Sequence, residues 1–111
     1  MKQIKLIDWP CELTEEVAVI RQLPEQLEKE GLAHFEETFD DLDYFKAAII
    51  YQDEFIFALK RYRNCGSQGT SIWITRGSAE HINKSIDSVL HVLGLPKSAL
   101  TWIREVKSAI E

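Results

Sequence analysis

Five carboxylates lie within eight positions of the chain, in the segment EETFDDLD. They are Glu36, Glu37, Asp40, Asp41 and Asp43, and the aromatic residue Phe39 stands among them. Clustered carboxylates can ligate calcium or act as an acid–base pair in hydrolysis. The alternating aspartates and the glycine of a calcium loop are missing, so we expect no metal site and assign no catalytic pair. An aromatic anchor among negative charges is instead typical of a surface that docks a basic protein.

The basic run KRYR covers residues 60–63 and precedes the glycine-containing stretch GSQG. Bases beside such a loop can hold a phosphate group. Side chains alternate along a strand, so Lys60 is expected on one face and Arg61 and Arg63 on the other. A glycine loop between two strands also lacks the helix that accompanies RNA clamping. We therefore expect these bases to pair with the acidic segment.

Cysteine and histidine show no motif for covalent or metal chemistry. Cys11 and Cys65 are 54 positions apart, and the three histidines are scattered. We therefore expect no cofactor, no metal and a reducing compartment. The first residues lack the apolar run of a secretory signal, and no stretch is long enough to span a bilayer. These features predict a cytoplasmic protein that does not enter a membrane.

The net charge of −5 conceals a strong asymmetry along the chain. Residues 1–57 hold fourteen acids and five bases, a net −9, whereas residues 58–111 hold four acids and eight bases, a net +4. An acidic N-terminal half disfavours nucleic acid and anionic membranes as partners, because phosphate binding needs a basic surface.

The middle of the chain predicts an antiparallel meander. Residues 44–52 and 55–63 are rich in β-branched and aromatic residues around a polar two-residue break, which predicts a hairpin. A two-residue turn sets Ile50 opposite Phe57 and Ile49 opposite Ala58. Both faces of this hairpin are apolar near the turn, so a homodimer through the sheet is an alternative use of it. A third strand at 71–76 completes the meander.

The remaining segments predict helices around this sheet. A short strand begins at Lys2, and Pro24 opens a helix over 24–31. Residues 14–23 and 32–43 fit either helix or strand. Ser78 caps a helix that ends at Leu93, and a second helix follows from about residue 96. We expect a single α+β domain over 1–111, an antiparallel sheet with the two C-terminal helices packed on one face.

The predicted C-terminal helix pair also resembles a DNA-binding helix-turn-helix over Ile86 to Ile103. The resemblance would place four polar residues, Lys97, Ser98, Thr101 and Arg104, on or beside a recognition helix. It implies a DNA-binding regulator. A helical hairpin that packs on its own sheet has the same apolar spacing.

Our first hypothesis is therefore a small, non-enzymatic cytoplasmic protein that binds a basic protein through its acidic, aromatic-containing N-terminal half, as inhibitors, immunity-type proteins and adaptors do. A DNA-binding regulator is the second hypothesis. A small enzyme with an unrecognised site is the third.

Overall fold

The computed structural model describes residues 2–4, 14–39, 43–52, 55–64 and 69–104. In these ranges seven antiparallel strands form one sheet. The strands are β1 (Lys2–Ile4), β2 (Thr14–Ile20), β3 (Glu36–Phe39), β4 (Tyr44–Gln52), β5 (Phe55–Tyr62), β6 (Thr70–Thr75) and β7 (Leu100–Ile103). The helices are α1 (Pro24–Lys29) and α2 (Ala79–Leu93), and residues Lys97–Ala99 form a 3₁₀ turn.

The sheet is built on the predicted meander. Its strand order is β1-β4-β5-β6-β2-β7, and β3 pairs with β4 beside β1. The predicted hairpin is confirmed together with its register, because Ile50 lies opposite Phe57 and Ile49 opposite Ala58. The α+β architecture is therefore the predicted one in outline.

The main core lies between the sheet and α2. Alternate side chains of the central strands point to the face of the sheet that carries the helices. The buried cluster includes Ile50, Phe57, Leu59, Ile72 and Ile74 from the strands and Ile82, Ile86, Val89, Leu90 and Leu93 from α2. Each such side chain contributes about 1.5–3 kcal/mol when it leaves water, so this layer supplies most of the hydrophobic stabilisation.

The capping residues predicted for α2 act as expected. The Ser78 hydroxyl accepts a hydrogen bond from the His81 backbone N–H at 3.2 Å, and Gly94 ends the helix at a φ of 69°. None of the helices in the described ranges is long and apolar enough to cross a membrane.

The prediction of a second C-terminal helix is wrong. After the 3₁₀ turn the chain enters β7 and pairs with β2, and the Arg104 N–H donates to the Val17 carbonyl at 2.8 Å. Two physical reasons favour the strand: Thr101, Trp102 and Ile103 are β-branched or aromatic, and the edge of β2 offers backbone partners that a helix cannot use. The helix-turn-helix resemblance therefore lacks its recognition helix.

The two undecided segments both contain strands. Residues 14–20 form β2 and residues 36–39 form β3. The helix predicted over 24–31 ends at Lys29, and Gly31 follows with a φ of 74°. Trp102 lies on edge strand β7 with 43% of its surface exposed. Only residues 2–4 of the predicted first strand lie within the described ranges.

Gly69 offers a sharp test of the fold. Its φ is +113°, and a Cβ there would lie 1.9 Å from the Ile20 carbonyl oxygen, whereas a Cβ on Gly94 would meet nothing within 4 Å. We expect Gly94→Ala to lower the free energy of unfolding by about 1–2 kcal/mol through left-handed strain alone. Gly69→Ala should cost more than about 3 kcal/mol, because backbone overlap adds to strain. Urea denaturation of both variants measures the difference, and equal losses would contradict the close approach of Gly69 to β2.

Candidate functional site

A groove lies at one corner of the molecule, where α1 approaches the ends of β3, β4 and β5. We call it the corner groove; its volume is about 200 Å³. It is lined by Glu25, Glu37, Tyr44, Phe45, Lys46, Arg61, Tyr62 and Arg63. Buried Pro24 and Leu27 anchor α1, and the Leu23 N–H donates to Gln26 Oε1 at 2.7 Å. This short helix thereby holds the Glu25 carboxylate beside the sheet.

Two like charges face each other in the groove. Lys46 on β4 lies directly opposite Arg61 on β5. Such a cross-strand pair is destabilising on its own. The Lys46 ammonium lies 3.2 Å from Glu25 Oε1, and Arg61 Nη1 donates to the Gly69 carbonyl at 2.6 Å. The repulsion is therefore offset by one carboxylate and one backbone dipole.

The Glu25 carboxyl group responds to this setting. Its pKa is lowered, first by a hydrogen bond from its own backbone N–H, then by the hydrogen bond from Lys46, and further by the positive charges of Lys46 and Arg61. Partial burial acts in the opposite direction. These interactions favour the carboxylate form of Glu25, and its negative charge in turn offsets the positive charges of Lys46 and Arg61.

Arg63 links the groove to an exposed aromatic pair. Its guanidinium donates to Glu37 Oε1 at 2.7 Å and lies over the Tyr44 ring, 4.5 Å from the ring centroid. The Phe39 ring packs against Tyr44 from the neighbouring strand, with centroids 5.4 Å apart. Phe39 nevertheless keeps 68% of its surface exposed. The corner therefore presents a large apolar side chain, Phe39, which packs on a tyrosine that Arg63 holds in place.

The structure separates the acidic residues that the sequence grouped. Glu37 and Phe39 meet at the corner, and Glu36 is exposed on the same strand. The Asp43 carboxylate instead accepts hydrogen bonds from Asn64, at 2.7 Å from the backbone N–H and 3.2 Å from Nδ2. Asp40 and Asp41 lie outside the described residues. The expected pairing of strand-end bases with the acidic segment is confirmed for Arg63.

The residues assigned to a recognition helix serve other purposes. Lys97 and Ser98 lie in the 3₁₀ turn, and Lys97 Nζ is 3.8 Å from Asp87. The Thr101 hydroxyl donates to the Val19 carbonyl at 3.3 Å, and Arg104 Nε donates to the Glu16 carbonyl at 2.7 Å. Thr101 and Arg104 thus fasten β7 and the residue after it to β2.

An aromatic cage, which the sequence pattern did not predict, surrounds Lys60. This residue lies on the face opposite the helices and is only 8% exposed. Its ammonium is 4.4 Å from the Phe45 ring centroid, 4.7 Å from that of Trp73 and 5.1 Å from that of Tyr62, and it donates to the Tyr62 hydroxyl at 3.1 Å. Strand alternation could have indicated this contact, since Lys60 and Tyr62 share a face and Tyr62 lies opposite Phe45.

The histidines in the part of the chain that the structure describes are scattered and make local contacts. No three His, Cys, Asp or Glu residues there are grouped to hold a metal ion. His34 lies 3.4 Å from Glu28, and the His81 ring contacts the Thr75 carbonyl at 3.0 Å. Cys11 and Cys65 are outside the described residues.

Comparisons of the chain with protein-family models, with curated proteins and with solved structures give no significant match.

Glu25 provides a test of the groove electrostatics. Because its folded pKa is lowered, it contributes stability above its ordinary pKa, and this is lost as pH falls through the folded value. The pair is exposed, so we expect an effect below about 1 kcal/mol. An NMR titration should show the Glu25 pKa rising in Lys46→Met yet staying below the ordinary value, since the backbone hydrogen bond remains. An unchanged pKa in this variant would contradict the pairing with Lys46.

The cage around Lys60 makes a separate prediction for stability. Lys60→Glu should lower the free energy of unfolding by more than about 2 kcal/mol, because a buried carboxylate would face the negative ring faces. Lys84→Glu, on the exposed surface of α2, is the control and should cost about 1 kcal/mol at most, because it replaces the i,i+4 pair with Glu80 by a like-charge pair. Chemical denaturation compares the two, and a small loss in both would exclude the cage as a stabilising contact.

Proposed function

We propose that this protein is a small, non-enzymatic binding protein whose acidic, aromatic-containing N-terminal surface, at Glu36, Glu37 and Phe39, docks a basic protein partner, as an inhibitor, immunity-type protein or adaptor does. The observation that carries the proposal is the Phe39 ring, which is mostly exposed although it packs against Tyr44. A large apolar side chain that is ordered before binding loses little conformational freedom when a partner covers it. Aromatic residues of this kind dominate the binding energy of many interfaces.

The position of Phe39 supports docking at the corner. It ends β3, a four-residue strand whose described partner is β4. The exposed carboxylates of Glu36 and Glu37 keep such an edge from pairing indiscriminately with other strands. A partner can therefore reach the ring while the strand itself stays protected.

Charge supports a basic partner. The chain carries a net −5, and five of its acids fall between residues 36 and 43. The Arg63–Glu37 contact offsets part of this charge and also fixes Tyr44 beneath Phe39. The remaining negative field would speed association with a positively charged surface and would weaken as salt is added.

The proposal is tested by affinity capture from the native lysate, identification of the bound protein and measurement of its affinity. Phe39→Ser should weaken binding at least tenfold, because it removes the anchor. Tyr51→Ser is the matched control, since Tyr51 is also an exposed aromatic residue but lies at the other end of β4, and it should change the affinity less than about twofold. Full binding by Phe39→Ser, or an acidic partner, would refute the proposal.

A charge reversal separates the electrostatic part of the proposal. Glu36→Lys should slow association several-fold at low salt, and the difference from wild type should shrink at high salt. Glu80→Lys reverses another exposed carboxylate, on α2, and is the control. If both variants slow association equally, the net charge of the chain alone sets the association rate, and the proposed docking surface is contradicted.

A further inference from the structure

We propose that the corner groove binds the phosphate group of a small molecule between Lys46, Arg61 and Arg63. This inference concerns a second ligand and does not depend on the protein partner proposed above. The first support is local charge. Three bases and two carboxylates line the groove, a net +1, within a chain of net −5. Its positive charge therefore runs against that of the rest of the molecule.

The second support is the arrangement of the bases. Lys46 and Arg61 lie directly opposite each other on neighbouring strands. Arg63 is two residues after Arg61, so strand alternation places it on the same face as Arg61. Bringing three positive charges together costs free energy, which the contacts with Glu25, Glu37 and the Gly69 carbonyl offset. Two carboxylates against three bases still leave the groove lining at a net +1. A phosphate carries between one and two negative charges at neutral pH and offers several acceptor oxygens. It would match these donors better than a carboxylate can.

The third support is access. The side chains of Lys46 and Arg63 are 39% and 56% exposed, so an incoming ion can reach both. The groove volume of about 200 Å³ suits a phosphate with a small substituent. The Tyr44 ring lines the same groove.

The two carboxylates of the groove would compete with the ligand. Glu37 contacts Arg63 at 2.7 Å and Glu25 contacts Lys46 at 3.2 Å. A bound phosphate would share or replace these contacts. Removal of a groove carboxylate should then tighten phosphate binding, whereas a purely structural ion pair would show no such gain.

The test is an NMR titration of the full chain at low salt and neutral pH with inorganic phosphate, phenyl phosphate and acetate. We expect saturable shifts at groove residues with dissociation constants in the millimolar range for at least one phosphate. Glu37→Gln should tighten binding about threefold or more, and Lys46→Gln should weaken it about tenfold. Lys84→Gln removes an exposed base on α2 and should leave binding unchanged. Tighter binding of phenyl phosphate would identify a phosphate ester as the ligand, and the reverse would identify the free ion.

Several outcomes would overturn the proposal: no saturable shift in the groove, acetate binding as tight as phosphate, weaker binding by Glu37→Gln, or equal losses in Lys46→Gln and Lys84→Gln. Circular dichroism and denaturation establish that each variant is folded. If Lys46→Gln fails to fold, Arg63→Gln takes its place with the same expected loss.

Discussion

The register of the β4–β5 hairpin determines which side chains share a face, and both faces of the molecule depend on it. With Ile50 opposite Phe57, the large aliphatic and aromatic residues meet α2, and Lys46 meets Arg61 at the corner. A slip of one residue would send each of these side chains to the other face. The apolar core penalises such a slip heavily, so hydrophobic packing at one end of the strands fixes the placement of charge at the other.

This coupling explains how a run of bases can serve two unrelated purposes. Lys60 lies in an aromatic cage on the face opposite the helices. Arg61 and Arg63 lie on the other face, where Arg61 donates to the Gly69 carbonyl and Arg63 pairs with Glu37 on β3. Among the described residues, the acidic and basic halves of the sequence are therefore not two separate surfaces, because Arg63 pairs with Glu37 and Arg104 lies beside Glu15. Acids and bases are interspersed at the corner. What binds there therefore depends on the positions of single charged residues and not on the net charge of the chain.

Local pattern was enough to predict the meander, its register and the caps of α2, because each depends on alternation or on one capping residue. It was not enough where partners are distant in the sequence. Residues 100–103 have a composition typical of a strand. The open edge of β2, which is distant in the sequence, makes a strand there more favourable than the predicted second helix. The candidate site shows the same limit. The sequence indicated Phe39 and its acids, yet the contacts of Glu25 with Lys46 and of Arg63 with Tyr44 require the tertiary fold.

The pairing of β7 with β2 also has a consequence for how the chain folds. Contacts such as that of Arg104 with Val17 join residues more than eighty positions apart, so β2 gains its second neighbour only after almost all the described chain has been synthesised. Until then one side of β2 exposes its backbone groups to any strand nearby. A nascent chain that stalls before residue 100 would therefore leave β2 as an exposed edge strand of its own core sheet, open to pairing with other chains.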